Sequence, residues 1–486
     1  MSAPVTTSRA SRRLPIVVLV ALAIVAGVVA GTSDRPTAAR PGDPIEATQL
    51  SVNDAVSTAW YCPGLPSAFP MKNQTYTLSN LGSAPVEASV TVHPDDGSAP
   101  VSETVSVPHG SVRTFARKTL SGGPLVIEPF SPDVVVSAGI ESDDRLATVP
   151  CATTASKDWY FAGGTTVRGV TQWLVLEDPF AADARVDVTL RTDSGLQELP
   201  SLAGLDVPGR SRVIIPIHNA AVRRARVSVQ VHAEVGRVVA SQTITYGGST
   251  GAPGVATSIG AVKPSSSWWF SGGDTRAGAS EVVAIANVGQ LDARVTVQAE
   301  AGVKTIVHPV QVTVPSGGVS WVQVGGCSDS TPTCVDVPNR TGYVLMVQSD
   351  NDAPIVAQTL SRFDGERNST LGAAASVGSS TPARQWVIAR TRVRAVRSTT
   401  IALSDPGLKP AHVGITIVWG GHVERPVSLQ RLTVTPGARF VVPLGDVPVL
   451  HRVDAAIVIT SDAPIFAEST IYAERDATRA PGIPAR

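Results

Sequence analysis

The sequence predicts an all-β fold: four tandem immunoglobulin-like β-sandwich repeats after one N-terminal transmembrane or signal-anchor helix. Three observations carry that expectation. An aromatic phrase recurs, as SKDWYFAGGTT at 156–166 and SSSWWFSGGDT at 265–275. The residues that follow it alternate apolar and polar at period two, the mark of a half-buried strand. One long uncharged apolar run stands near the N-terminus.

That run, LPIVVLVALAIVAGVVAG at 14–31, follows Arg9, Arg12 and Arg13 and precedes polar TSDRPTAARPGDP. It reaches the short end of what crosses a bilayer as a helix. The basic residues before it place the tail, 1–13, in the cytoplasm. The expected order is therefore tail, signal anchor at 14–31, and a Pro/Ala-rich linker at 32–53. The chain would be single-pass in the cytoplasmic membrane, with its C-terminal region extracytoplasmic. The alternative is a signal peptide cut after Ala30, which would make the protein secreted.

The chain of 486 residues is long enough for several domains. Its 40 Lys and Arg balance 40 Asp and Glu, so no basic excess gathers phosphates, and nucleic acid is not an expected partner. Four cysteines in an exported chain suggest disulfides. Cys327 and Cys334 bracket the short loop CSDSTPTC, and Cys62 and Cys151 then pair by elimination. A zinc site would need further Cys or His at ligand spacing.

The phrase reads Trp60-Tyr61-Cys62, Trp159-Tyr160-Phe161, Trp268-Trp269-Phe270 and, in decayed form, Trp386-Val387-Ile388. Its tryptophans at 60, 159, 268 and 386 are 99, 109 and 118 residues apart. Repeats are expected at 54–152, 153–262, 263–380 and 381–486. Each continues with a strand, a polar turn and an alternating strand, as in TQWLVLEDPFAADARVDVTLRTDSG at 171–195. A strand halted by Pro and turned by Gly follows, as in LDVPGRS at 205–211 and VTVPSGG at 312–318. Hairpins are expected at 134–149, 227–242, 344–358 and 455–468, giving six or seven antiparallel strands per repeat.

Alternation sends Trp60, Trp159, Phe161, Trp268, Phe270 and Trp386 to the repeat cores, with Cys62 in the place of the phenylalanine. Gly163-Gly164 is expected to turn the chain sharply. Tyr61, Tyr160 and Trp269 then face away from their own cores. They are candidates for packing between repeats or for stacking on a sugar or a partner.

The phrase followed by Gly, the Asn80-Leu81-Gly82 and Asn287-Val288-Gly289 turns, and the alternating valines before V-P-x-G resemble a tandem repeat of exported bacterial proteins. From Trp60 to the C-terminus the chain resembles an actinobacterial family of single-pass extracytoplasmic proteins of unknown function. That resemblance implies a β-sandwich array outside the membrane and brings no catalytic residues.

Residues 247–251 match G-x-S-x-G, but the serine-hydrolase elbow needs a strand-to-helix turn and the stretch is a Gly-rich link. A hydrolase is thus a remote reading. Asp350-Asn351-Asp352, Asp95-Asp96 and Asp143-Asp144 lack the full ligand series of a calcium loop and read as turn residues. The eight histidines form no close metal pair. No cofactor, metal or catalytic residue is expected. The expected function is a non-catalytic structural or interaction protein of the cell envelope, whose partner is an envelope polymer or another exported protein. The alternative is a carbohydrate-binding array that holds an envelope glycan on exposed aromatics.

Overall fold

The described residues fold mainly into strands because Val, Ile and Thr alternate with polar residues, and β-branched side chains pack well on a pleated surface. A computed structural model describes residues 59–485, apart from 67–73, 117–121, 143–144, 198, 248, 250–252, 276–277, 302–306, 332, 340–341, 365–370, 392–397, 452 and 474. The expected tail, signal anchor and linker lie outside the described residues, as do Asp143 and Asp144. Ala47–Arg486 is one compact unit.

In 54–152 the strands are β1 (Trp60–Cys62), β2 (Gln74–Asn80), β3 (Val86–Val92), β4 (Val101–Val107), β5 (Ser111–Ala116), β6 (Leu125–Pro129), β7 (Val134–Ser142) and β8 (Arg145–Pro150). They form two four-stranded sheets, ordered β1-β6-β3-β4 and β5-β2-β7-β8. The same scheme recurs in 153–262 and 263–380. It recurs again in 381–486, where the single strand Ala455–Tyr472 serves both sheets. We call these stretches segments 1 to 4. Among the described residues, pairing is antiparallel apart from the short parallel contact of Cys334–Val335 with Val319–Val324 and the single bridge between Asp405 and Pro436.

Two sequence expectations are corrected. An immunoglobulin domain would order its strands 1-2-5-4 and 3-6-7. Here the first strand pairs the sixth and the seventh pairs the second, within eight strands among the described residues of segment 1. The stretches 227–242, 344–358 and 455–468 are also not hairpins. Their two halves, such as Val227–Val235 and Val239–Tyr246, pair with different sheets and form an arch across the core. Only 134–149 is a hairpin, β7 with β8, one strand later in the scheme. Period two fixes which face of a strand is buried but is silent about its neighbour.

The four segments close on themselves. The last strand of each inner sheet, β8, Gly254–Ile259, Leu371–Val377 or Ala477–Pro481, touches the corresponding strand of the next segment, and the fourth touches the first. These strands run the same way, since Leu146 and Thr148 lie beside Asp476 and Thr478, and Gly254 and Ala256 beside Ala373 and Ala375. Among the described residues they meet through side chains and single backbone contacts rather than a shared ladder. Segments 1 to 4 therefore form a ring around four parallel inner strands.

Candidate functional site

The seams of this ring hold the residues that the sequence marks out. Within each phrase the flanking rings point inward, and Trp60, Cys62, Trp159, Phe161, Trp268, Phe270 and Trp386 are all buried. The indole of Trp159 donates to Val238 O (2.7 Å), that of Trp268 to Ile355 O (2.9 Å) and that of Trp386 to Ile465 O (2.8 Å). Each bond ties the phrase to the far end of its own arch, because a buried N–H needs an acceptor.

The middle residue reaches the next segment. Tyr61 packs on the core of segment 2, Tyr160 on that of segment 3, and Trp269 on that of segment 4. Trp269 stacks on Phe466 with centroids 5.2 Å apart. Val387, at the same place in segment 4, joins the core of segment 1. Each middle residue also pairs its backbone with the chain two residues beyond its inner strand: Tyr61 with Ala152, Tyr160 with Ala261, Trp269 with Ser379 and Val387 with Ile483. In segment 4 that partner lies in the strand Ile483–Ala485.

The glycines that follow serve close approach, which corrects the expected sharp turn. Gly163, Gly164, Gly272 and Gly273 all keep φ out of the left-handed region. Gly272 and Gly273 lie inside the strand Ser267–Asp274. A Cβ on Gly163 would stand 3.2 Å from Ala284 and Leu360 of segment 3, and one on Gly272 would stand 2.9 Å from Glu468 of segment 4. The bare backbone lets each donate across the seam: Gly163 N–H to Gln358 Oε1 (3.1 Å) and Gly272 N–H to Glu468 Oε2 (2.7 Å).

The seam between segments 3 and 4 concentrates charge. Glu281 accepts from Tyr343 Oη (2.6 Å), Ser361 Oγ (2.7 Å) and Arg479 Nη1 (2.6 Å). Glu468 accepts from Ser376 Oγ at 2.5 Å. All of these side chains are buried. Burial alone would lower the Arg479 pKa, but Glu281 and Glu468 outweigh it and raise it. Burial, with Glu281 beside it, also pushes the Tyr343 hydroxyl well above its usual range.

Asp476 sits where all four segments meet. Its carboxylate accepts backbone N–H groups from Leu146 (3.1 Å), Val255 (3.3 Å), Ala373 (3.1 Å) and its own neighbour Ala477 (2.9 Å). Each segment thus contributes one donor. Burial raises its pKa to about 7 against the pull of those amides and of Arg145.

The perturbed acids do not gather in one cleft. Asp178 ends the strand Val170–Asp178 and accepts Phe180 N–H at 2.8 Å. This is the turn position that Asn80 and Asn287 fill in segments 1 and 3. Burial raises its pKa to about 6. Glu177 lies opposite Arg212 in the ladder, and burial raises its pKa well above normal. Arg212 itself reaches into segment 1, bonding Asp95 at 2.7 Å and Pro63 O at 2.7 Å.

Both disulfides, Cys62–Cys151 and Cys327–Cys334, are formed. A cavity of about 30 Å³ lies beside the first, between segments 1 and 2, with room for roughly one water. Asp96 caps Ser98 N–H, Asp350 accepts from Thr296, and Asn351 bonds Arg294 N–H, all as turn residues. The G-x-S-x-G stretch falls largely outside the described residues. Sequence reasoning missed Glu281, Glu468, Arg479 and Asp476. The available signal was charge on strands whose counterparts carry Gln172, Gln358 and Ala375.

A family model described as "Family of unknown function (DUF5719)" matches residues 128–369. No curated protein matches. Among solved structures, one titled "Crystal structure of tetra-tandem repeat in extending region of large adhesion protein" is 11% identical, and the alignment covers 87% of this chain and 97% of that chain. Its TM-score is 0.12, too low to carry an argument.

Proposed function

We propose that the protein is a non-catalytic, membrane-anchored interaction protein of the bacterial cell envelope, in which four copies of one β-sandwich unit make a rigid ring. The observation that carries this reading is where its chemistry-bearing side chains go. Glu281, Glu468, Arg479, Asp476 and Arg212 each hold one segment to another, and Tyr61, Tyr160 and Trp269 are spent on the same seams. The turns are left to meet an envelope polymer or another exported protein. The apolar run at 14–31 and two disulfides support an extracytoplasmic place.

Co-sedimentation of the chain with purified envelope polysaccharide, followed by assay of the supernatant for released sugars, tests this. The reading predicts no release. It also predicts that any binding survives Tyr160→Ala/Trp269→Ala in a variant shown to be folded. Soluble fragments would sink the non-catalytic reading, and binding lost in that variant would make the aromatics a glycan site.

A further inference from the structure

The seam between segments 1 and 2 is met by different side chains from the next two, and the ladder register shows which residues correspond. Ser241 faces Val175, Gln358 faces Ala284 and Glu468 faces Ala402. Those three partners share one place, just ahead of the turn residues Asp178, Asn287 and Asp405. Further along the same strands, Thr243, Leu360 and Thr470 face Thr257, Ala375 and Arg479. On the facing segment Gln74, Gln172 and Glu281 correspond, opposite Ile140, Ile244 and Ser361. Gln74, Ser241 and Thr257 thus take the three positions that Glu281, Glu468 and Arg479 hold between segments 3 and 4.

All three line the cavity of about 30 Å³ beside Cys62–Cys151, together with Gly64, the counterpart of Gly163 and Gly272. Gln74 is 2% exposed, Ser241 8% and Thr257 7%. Gln74 Oε1, Ser241 Oγ and Thr257 Oγ1 have no hydrogen-bond partner among the described residues. Buried oxygens without partners are costly and rare. The cause is length. Ser241 is too short to reach across the seam as Gln358 and Glu468 do, so space remains where their side chains would lie.

We propose that one resident water occupies this cavity and joins the two segments. It accepts from the hydroxyls of Ser241 and Thr257 and donates to Gln74 Oε1. The volume suits a single water, and three partners are the usual number for a buried one. Other small occupants fit the donors and acceptors less well. An anion has no proton to give Gln74 Oε1. A cation would enter beside Arg212, whose Nη1 bonds Pro63 O (2.7 Å) and Leu65 O (3.0 Å), and none of the described residues lining the cavity is acidic. One position in the ring is therefore met by a water in the first seam, by a neutral amide in the second and by an ionic cluster in the third.

The test is a crystal structure of the full chain in detergent, at a resolution that shows ordered water. The expected result is one density peak about 2.7–3.2 Å from each of the three oxygens. A cavity without density, or side chains rotated to bond one another, overturns the proposal. A peak with contacts of about 2.0–2.6 Å assigns the site to a metal ion and also overturns it. Ser241→Gln should expel the water and fill the cavity with its own amide. Ser241→Ala/Thr257→Val, which adds no bulk and removes two of the three partners, should lose the peak even if the glutamine variant does not fold. A peak that persists in either variant means that other groups hold the water, and it overturns the assignment.

Discussion

The seams between segments 2 and 3 and between segments 3 and 4 share one geometry and differ in charge. In the first, Gln358 accepts Gly163 N–H and donates to Ser258 Oγ at 3.1 Å. In the second, Glu468 accepts both Gly272 N–H and Ser376 Oγ. The serine reverses its role because a carboxylate accepts only. The neutral seam needs nothing more. The charged seam needs Arg479, whose counterpart in segment 3 is Ala375. The same backbone contact is thus met by a neutral amide in one place and by a buried ionic cluster in another.

Breaking the charged seam has the largest expected effect. Arg479→Leu leaves Glu281 and Glu468 buried without their cation and should cost about 3–5 kcal/mol in denaturant unfolding. Adding Glu281→Gln and Glu468→Gln should return most of that loss, since the seam then resembles its neighbour. No recovery would mean that the two seams are not equivalent. In the neutral seam, Gln358→Leu strands Gly163 N–H and should cost about 1–3 kcal/mol.

The turn after the second strand offers a smaller version of the same contrast. Asn80 Nδ2 donates to Ala84 O (2.8 Å) and Val107 O (3.1 Å), and Asn287 Nδ2 donates to Leu291 O (2.8 Å) and Val314 O (2.9 Å). Asp178 can donate there only when protonated. Its folded pKa of about 6 lies above the ordinary value of 3.8. Its contribution is therefore full below that ordinary value and is lost as pH rises toward 6. Asp178→Asn should stabilise by about 1–2 kcal/mol at pH 7, and the gain should vanish near pH 4. A gain that does not change with pH would contradict this account.

The smallest effect concerns the Pro-Gly turn. Gly110, Gly317 and Gly437 take φ of 55°, 64° and 71°, and Arg210 takes 54° in segment 2. Arg210→Gly should relieve left-handed strain and raise stability by up to about 1 kcal/mol in thermal unfolding. The same substitution at Arg113, whose guanidinium bonds Ser106 O from an extended strand, should not stabilise.

Much of this was legible locally. Alternation along Trp159-Tyr160-Phe161 gave the buried pair and the outward tyrosine, and cysteine arithmetic gave both disulfides. Arches and sheet neighbours were not legible, because Val227–Val235 and Val239–Tyr246 alternate just as a hairpin would. Closure was not legible either. It depends on Asp476 meeting amides some 330, 221 and 103 residues away, and a lone aspartate near a chain end carries no mark of that. The Gly-Gly pairs were visible, but whether a glycine serves a turn or an approach depends on what packs against it.

The central claim is closure, and small-angle scattering of 54–486 tests it most directly. A ring packed around Asp476 predicts a radius of gyration of about 22–25 Å. A linear array of four units would give more than about 35 Å, and that result would contradict the account.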